Sequence, residues 1–194
     1  MRLLEQAGRL LRLTRSHDSA RRYIVVNGFD GALAMLGLII GFLVSMPAEL
    51  SVIINVCLGA AIALGMSGVS SAYISEVAER RYALGKLEAA MVTDLKNSTH
   101  GEAARRVPLL IALVNGAAPL VISLIILIPL WLASAGIALP LSPLYASIAV
   151  AGVMVFMLGA FLGRIADISW LQSGIHTLLV AIITAGLIYL FTGP

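Results

Sequence analysis

The chain has 194 residues, 60% of them hydrophobic and only 12% charged, with a mean hydropathy of +0.99. A soluble domain carries roughly 25% charged residues, so this composition excludes an ordinary water-soluble fold. The net charge of +3 comes from basic residues without interleaved aromatics, which excludes a nucleic-acid surface, and a single cysteine, Cys57, excludes a disulfide framework.

In chain order, residues 1–22 read as an amphipathic helix. Leu3, Leu4, Ala7, Leu10 and Leu11 follow the i, i+3, i+4, i+7 spacing, with Arg2, Arg9, Arg12 and Arg15 around them. Such a helix lies in the headgroup plane, its arginines drawn to anionic lipid. Leucine alternates with arginine there, unlike the continuous apolar core of a signal peptide. His17-Asp18-Ser19 break the pattern and are expected to cap the next helix.

Span one is Ile24 to Met46, followed by a tight turn at Met46-Pro47-Ala48-Glu49. Span two is Ser51 to about Ser75 and is rich in small residues, which permit close helix packing in lipid. No breaker follows, so span two is expected to run out of the membrane as one helix through Glu76-Val77-Ala78-Glu79 and beyond. Residues 76–107 are the one sizeable polar segment, with a turn expected at Asn97-Ser98-Thr99-His100-Gly101. Pro108 suits the first turn of span three, which runs to Ala133 with Asn115-Gly116, Pro119 and Pro129 inside. An uncharged loop, Ser134 to Leu141, leads to span four, Ser142 to Leu162. The short charged loop Gly163-Arg164-Ile165-Ala166-Asp167 precedes span five, Ser169 to about Phe191, which holds His176.

The expected fold is therefore all-α: a polytopic membrane protein with five transmembrane helices and an N-terminal amphipathic interfacial helix. Its parts are 1–22, the first two spans over 23–75, a helical insert over 76–107, and the last three spans over 108–194. Each span is near the roughly 20 residues a bilayer needs. With five spans, all thirteen Lys and Arg fall on one side, at Arg2 to Arg22, Arg80 to Arg106, and Arg164. The positive-inside rule makes that side cytoplasmic and the C-terminus external. The membrane is the cell membrane if the source is prokaryotic.

Asn27-Gly28-Phe29-Asp30-Gly31 is the stretch with chemistry in it. A carboxylate at the centre of a membrane helix costs about 2.5–3.5 kcal/mol on insertion scales. Asp30 lies about 9 Å inside the charged flank at 1.5 Å per residue, where the cost is smaller. Asn27 and Asp30 are three apart and are expected on one face. Gly28 and Gly31 let a partner helix or an ion approach. Met66, Ser67, Ser70 and Ser71 of span two and Asn115 of span three share that depth. Oxygen ligands suit divalent cations, and a thioether adds softness that suits ferrous iron. A carboxylate also trades metal for proton, which couples transport to a proton gradient.

Each residue has a plainer reading: Asp30 and Asn115 as interhelical hydrogen bonders, Met66, Met154 and Met157 as apolar filler, His176 as a hydrogen-bonded structural residue, and Glu76 and Glu79 as partners of Arg80 and Arg81 on a solvated helix. A short echo joins Val26-Asn27-Gly28 to Val114-Asn115-Gly116 at similar depth.

Over its whole length the chain resembles the vacuolar iron transporter family. The likeness rests on Arg22-Tyr23-Ile24-Val25-Val26-Asn27-Gly28-Phe29-Asp30-Gly31, on Ala72-Tyr73-Ile74-Ser75-Glu76-Val77-Ala78-Glu79, on Pro119 and Pro129, and on Gly159-Ala160-Phe161-Leu162-Gly163-Arg164. The resemblance implies export of ferrous iron or manganese from the cytosol in exchange for protons. It also implies a homodimer with a metal path between the span-one and span-two helices of two subunits. By it, Asp30 is the intramembrane carboxylate of the path, and Glu76 and Glu79 are the acids where span two leaves the membrane. Two departures stand out: the family's span-two methionine falls on Gly68, while this chain has Met66, and the insert is short, offering only Glu88, Met91, Asp94, His100 and Glu102.

The expected function is thus divalent-metal transport, with Asp30, Asn27, Met66, Glu76, Glu79 and Asn115 as candidate ligands, transported Fe2+ or Mn2+ as cargo, no permanently bound cofactor and no enzymatic step. The partners are the metal ion, protons, the lipid bilayer and a second copy. The rival expectation is a non-transporting membrane assembly or lipid-interaction protein without metal binding. An intramembrane enzyme ranks last, because His100 and His176 lie at different depths on this topology.

Overall fold

The computed structural model describes residues 16–45, 48–95 and 98–192, with side chains from 21 onward. Residues 1–15, which hold most of the expected amphipathic helix, lie outside the described residues, as do Met46-Pro47 of the first turn. Five helices follow: α1 Ser16–Val44, α2 Leu50–Met91, α3 Thr99–Ser134, α4 Pro143–Ile165 and α5 Trp170–Thr192. All five are long and apolar enough to cross a membrane, and the described residues contain no strand. The protein is an all-helical, multi-pass membrane protein.

α2 has 42 residues, about 63 Å at 1.5 Å per residue, twice the roughly 30 Å hydrocarbon core. α3 has 36. Both overrun the bilayer at the cationic end, where they continue as an antiparallel hairpin. The turn between them is tied to Glu88: its Oε1 accepts from the Leu95 N–H at 2.9 Å, and its carbonyl accepts from the Thr93 N–H at 3.3 Å. Val92 closes α2 in the left-handed region at φ 51°. Ser98 opens α3 as N-cap, its Oγ accepting from the Gly101 N–H at 3.3 Å.

That cap changes two expectations. Thr99-His100-Gly101 form the first turn of α3, not a loop, and Pro108 lies inside the helix, not at its start. The segment before Pro108 stays helical because Ala103, Val107 and Ile111 are buried together beneath Tyr23 of α1. Similarly α1 begins at Ser16, so His17-Asp18-Ser19 lie within it, and α4 continues to Ile165 through most of the expected charged loop.

α3 runs through the middle, packed against α1, α2 and α4, while α5 leans on α4 and α1. The main core is apolar: Met35 and Ile39 of α1, Cys57 of α2, Ile126 and Leu130 of α3, and Val155 of α4 are fully buried together. The crossings are backbone-close. A Cβ on Gly31 would stand 2.7 Å from the Pro119 carbonyl oxygen, and one on Gly68 3.1 Å from the Gly116 Cα. No hydrophobic force separates helix from lipid, so such van der Waals contact is what holds membrane helices together. Of the packed pairs, α1 and α2 touch least.

Candidate functional site

The polar layer is built where α1, α2 and α3 cross. Asn27 donates through Nδ2 to the Tyr23 carbonyl at 3.0 Å and to Asn115 Oδ1. Asn115 in turn donates through Nδ2 to the Gly68 carbonyl at 2.7 Å. Two carboxamides therefore link three helices at one level. Asn115 is buried, and both ends of its amide are engaged, which is what a polar group in an apolar interior requires. The Val-Asn-Gly echo at 26–28 and 114–116 is thus a contact: its two asparagines bond to each other. Gly68 is the site's unexpected member. A Cβ there would stand 3.1 Å from the Gly116 Cα and 3.2 Å from the Asn115 carbonyl oxygen, so the methionine that the resemblance would put there would crowd α3.

Asp30 does not join this layer. It is exposed on the single chain and has no hydrogen bond or ion pair among the described residues. Three residues turn a helix by about 300°, so Asn27 and Asp30 sit some 60° apart around the axis. That offset carries Asn27 inward to α3 and leaves Asp30 on the outer flank. The expectation of one shared face holds for helix spacing but not for contacts.

The outer flank is a groove. Ala34, Gly37 and Leu38 of α1 face Ala60, Ala63 and Ser67 of α2 across a cleft of about 650 Å³. Asp30 is one turn before Ala34 and so continues this row toward the cationic end.

The other candidates separate. Met66 is 60% exposed and lines a different cleft, between α2 and α3, because it is 100° around the helix from Ser67. Glu76 is buried and accepts from Arg80 Nε at 3.3 Å. Glu79 is exposed. Glu102 pairs with Arg106 at 3.2 Å. Ser71 donates back to the Gly68 carbonyl at 3.4 Å. His176 is exposed on α5, and Met157 on α4, while Met154 packs against the core. Among the described residues of one chain, no three His, Cys, Asp or Glu side chains converge as a metal site.

No protein-family model matches the chain. Over 176 residues it is 31% identical to an uncharacterized protein of Methanocaldococcus jannaschii, a match that covers 89% of this chain and 88% of the archaeal one. At that identity and coverage the chain belongs to the same family as the archaeal protein.

Proposed function

We propose that this member of the archaeal protein's family is a homodimeric transporter of a divalent cation, ferrous iron or manganese, which leaves the cytosol in exchange for protons. One observation carries the reading. Asp30 is a carboxylate at membrane depth, exposed and unpartnered among the described residues, on the row that continues an open groove lined by small side chains. Left against lipid it is costly. A second copy laid along the same α1–α2 face removes it from lipid and brings two Asp30 carboxylates to one cleft. Two hard, exchangeable oxygen ligands at that depth suit a divalent ion and a proton in alternation. The Asn27–Asn115–Gly68 relay supports the arrangement by fixing the rotation of α1, and with it the direction of Asp30. The family likeness of the Asn27 to Gly31 stretch supplies the metal class and the direction, and the positive-inside distribution supplies which side is the cytosol.

The test is transport by the reconstituted full chain. Proteoliposomes holding a manganese-sensitive dye should take up Mn2+ with an opposing pH change, and Asp30→Ala should slow uptake by about tenfold or more, equivalent to at least about 1.4 kcal/mol. Asp30→Ala at the parent rate, or a parent that moves neither Mn2+ nor Fe2+, rejects the reading. Calorimetry separates the rival directly, since a non-transporting assembly or lipid-interaction protein binds no metal through Asp30.

A further inference from the structure

On the α3 side of α2, away from Asp30, the two helices flank a second face that is hollowed in two places. Outside the hydrocarbon it is a cleft of about 410 Å³ whose polar walls are Arg81, Arg105 and Tyr73, with Val77 and Leu84 beside them. Within the hydrocarbon it is an apolar cleft of about 240 Å³ between Ile62, Met66 and Val69 of α2 and Leu113 and Leu120 of α3. Steps of three and four residues link Ile62, Met66, Val69, Tyr73, Val77 and Arg81, so both clefts lie along one face of α2. From Tyr73 to Ile62 that face runs about 16 Å, the depth of one leaflet of a roughly 30 Å core.

The charges at its mouth set it apart. Arg80 and Arg106, next in sequence to the two cleft arginines, are paired with Glu76 and Glu102. Arg81 and Arg105 make no ion pair or hydrogen bond among the described residues. Both are exposed, and they converge from different helices on one cleft. Two unpaired guanidiniums at the membrane boundary match a phosphodiester, and a basic pocket between helices on that side is suited to an anionic headgroup. A tyrosine at headgroup level below them is at home in the interface.

We infer that the α2–α3 face is a binding site for one anionic phospholipid, its headgroup phosphate held by Arg81 and Arg105 and an acyl chain lying along Met66, Leu113 and Leu120. This assignment is independent of metal transport and of the α1–α2 face.

Native mass spectrometry of the full-length protein, equilibrated with equal phosphatidylglycerol and phosphatidylcholine, tests it. The parent retains phosphatidylglycerol in preference. Arg81→Ala with Arg105→Ala abolishes the preference, at about fivefold per arginine. Leu113→Trp, at a half-exposed position, blocks the chain groove and lowers lipid occupancy with both arginines in place. Arg106→Ala leaves the preference intact, and millimolar inorganic phosphate does not displace the lipid. Thermal melts at parent values show that the variants are folded, and a double Lys replacement, which keeps both charges, retains the preference. Equal retention of the two lipids by the parent, an unchanged preference in the double Ala variant, the same loss in Arg106→Ala, or displacement by phosphate alone overturns the assignment.

Discussion

Gly31→Ala isolates the helix crossing that positions the polar layer. The added Cβ would lie 2.7 Å from the Pro119 carbonyl oxygen and 2.8 Å from the Pro119 Cα. These are backbone atoms of a proline and have no rotamer to retreat into. Ordinary contact needs 3.4 Å or more, so α1 and α3 must part by about 0.7 Å, the difference between 3.4 and 2.7 Å. Asn27 and Asn115 sit one turn from Gly31 and Pro119 respectively, so the same displacement lengthens their hydrogen bond. Overpacking of this kind costs about 1–3 kcal/mol, and weakening one interhelical bond in lipid adds about 0.6 kcal/mol. Alanine's helix propensity returns up to about 1 kcal/mol. The net expectation is a destabilisation of about 1–3 kcal/mol, read as a lower midpoint in SDS titration of the micellar protein. Gly41→Ala, in the same helix with nothing within 4 Å of the new Cβ, keeps the propensity gain without the clash and should be neutral or slightly stabilising. Equal midpoints for Gly31→Ala and Gly41→Ala would refute the argument.

Two other outcomes follow from the same packing. Glu76→Ala removes the buried acceptor of Arg80 and should lower stability by about 1–3 kcal/mol while leaving Mn2+ affinity by calorimetry at the parent value; a large loss of affinity with parent stability would return Glu76 to the metal path. Ala34→Cys places a thiol on the α1–α2 groove and should give an oxidatively linked dimer, whereas Val153→Cys on the outer face of α4, 57% exposed, should not. Cys57 is fully buried and does not compete. Linkage through position 153 but not 34 would move the subunit contact elsewhere.

The number and order of the membrane helices were legible because hydropathy integrates over whole spans, while their starts were not, α1 beginning at Ser16 and α3 at Thr99. The unbroken run of α2 into water was legible for a related reason: nothing in 76–91 terminates a helix. What the sequence obscured turns on single angles and single caps. Proline's preference for a first turn pointed to Pro108 as a start, but a serine ten residues earlier already satisfied the exposed N–H of the first turn. Equal depth along the chain grouped Asp30, Asn27, Met66 and Asn115, yet depth says nothing about azimuth. Of the four, the fold joins only the two asparagines. The repeated Asn-Gly pair held the information, since each asparagine sits beside a glycine that lets its helix come close.

The exposure of Asp30 has a physical interpretation in the company it keeps. Surfaces of this protein that face outward are of two kinds. On α5 the exposed side chains are large: Leu179, Ile182, Ile183, Leu187, Leu190 and Phe191, the composition of a helix solvated by acyl chains. The α1–α2 groove is lined mostly by alanine, glycine and serine, with two leucines, and most of these are half-buried. Small side chains gain little from lipid, but they allow another backbone to approach, which is how helices associate where no hydrophobic force acts between them. A carboxylate continuing the small-residue row, and none along the large one, is what a protein-covered face requires and a lipid-covered face penalises. The chain meanwhile engages both asparagine amides internally and pairs Glu76 and Glu102 with nearby arginines. Asp30 is left as the carboxylate at membrane depth that the single chain does not satisfy. Under the proposed function its demand for a cation or a proton is met from outside the fold, and the proposed subunit pairing and ion handling fall on the same face.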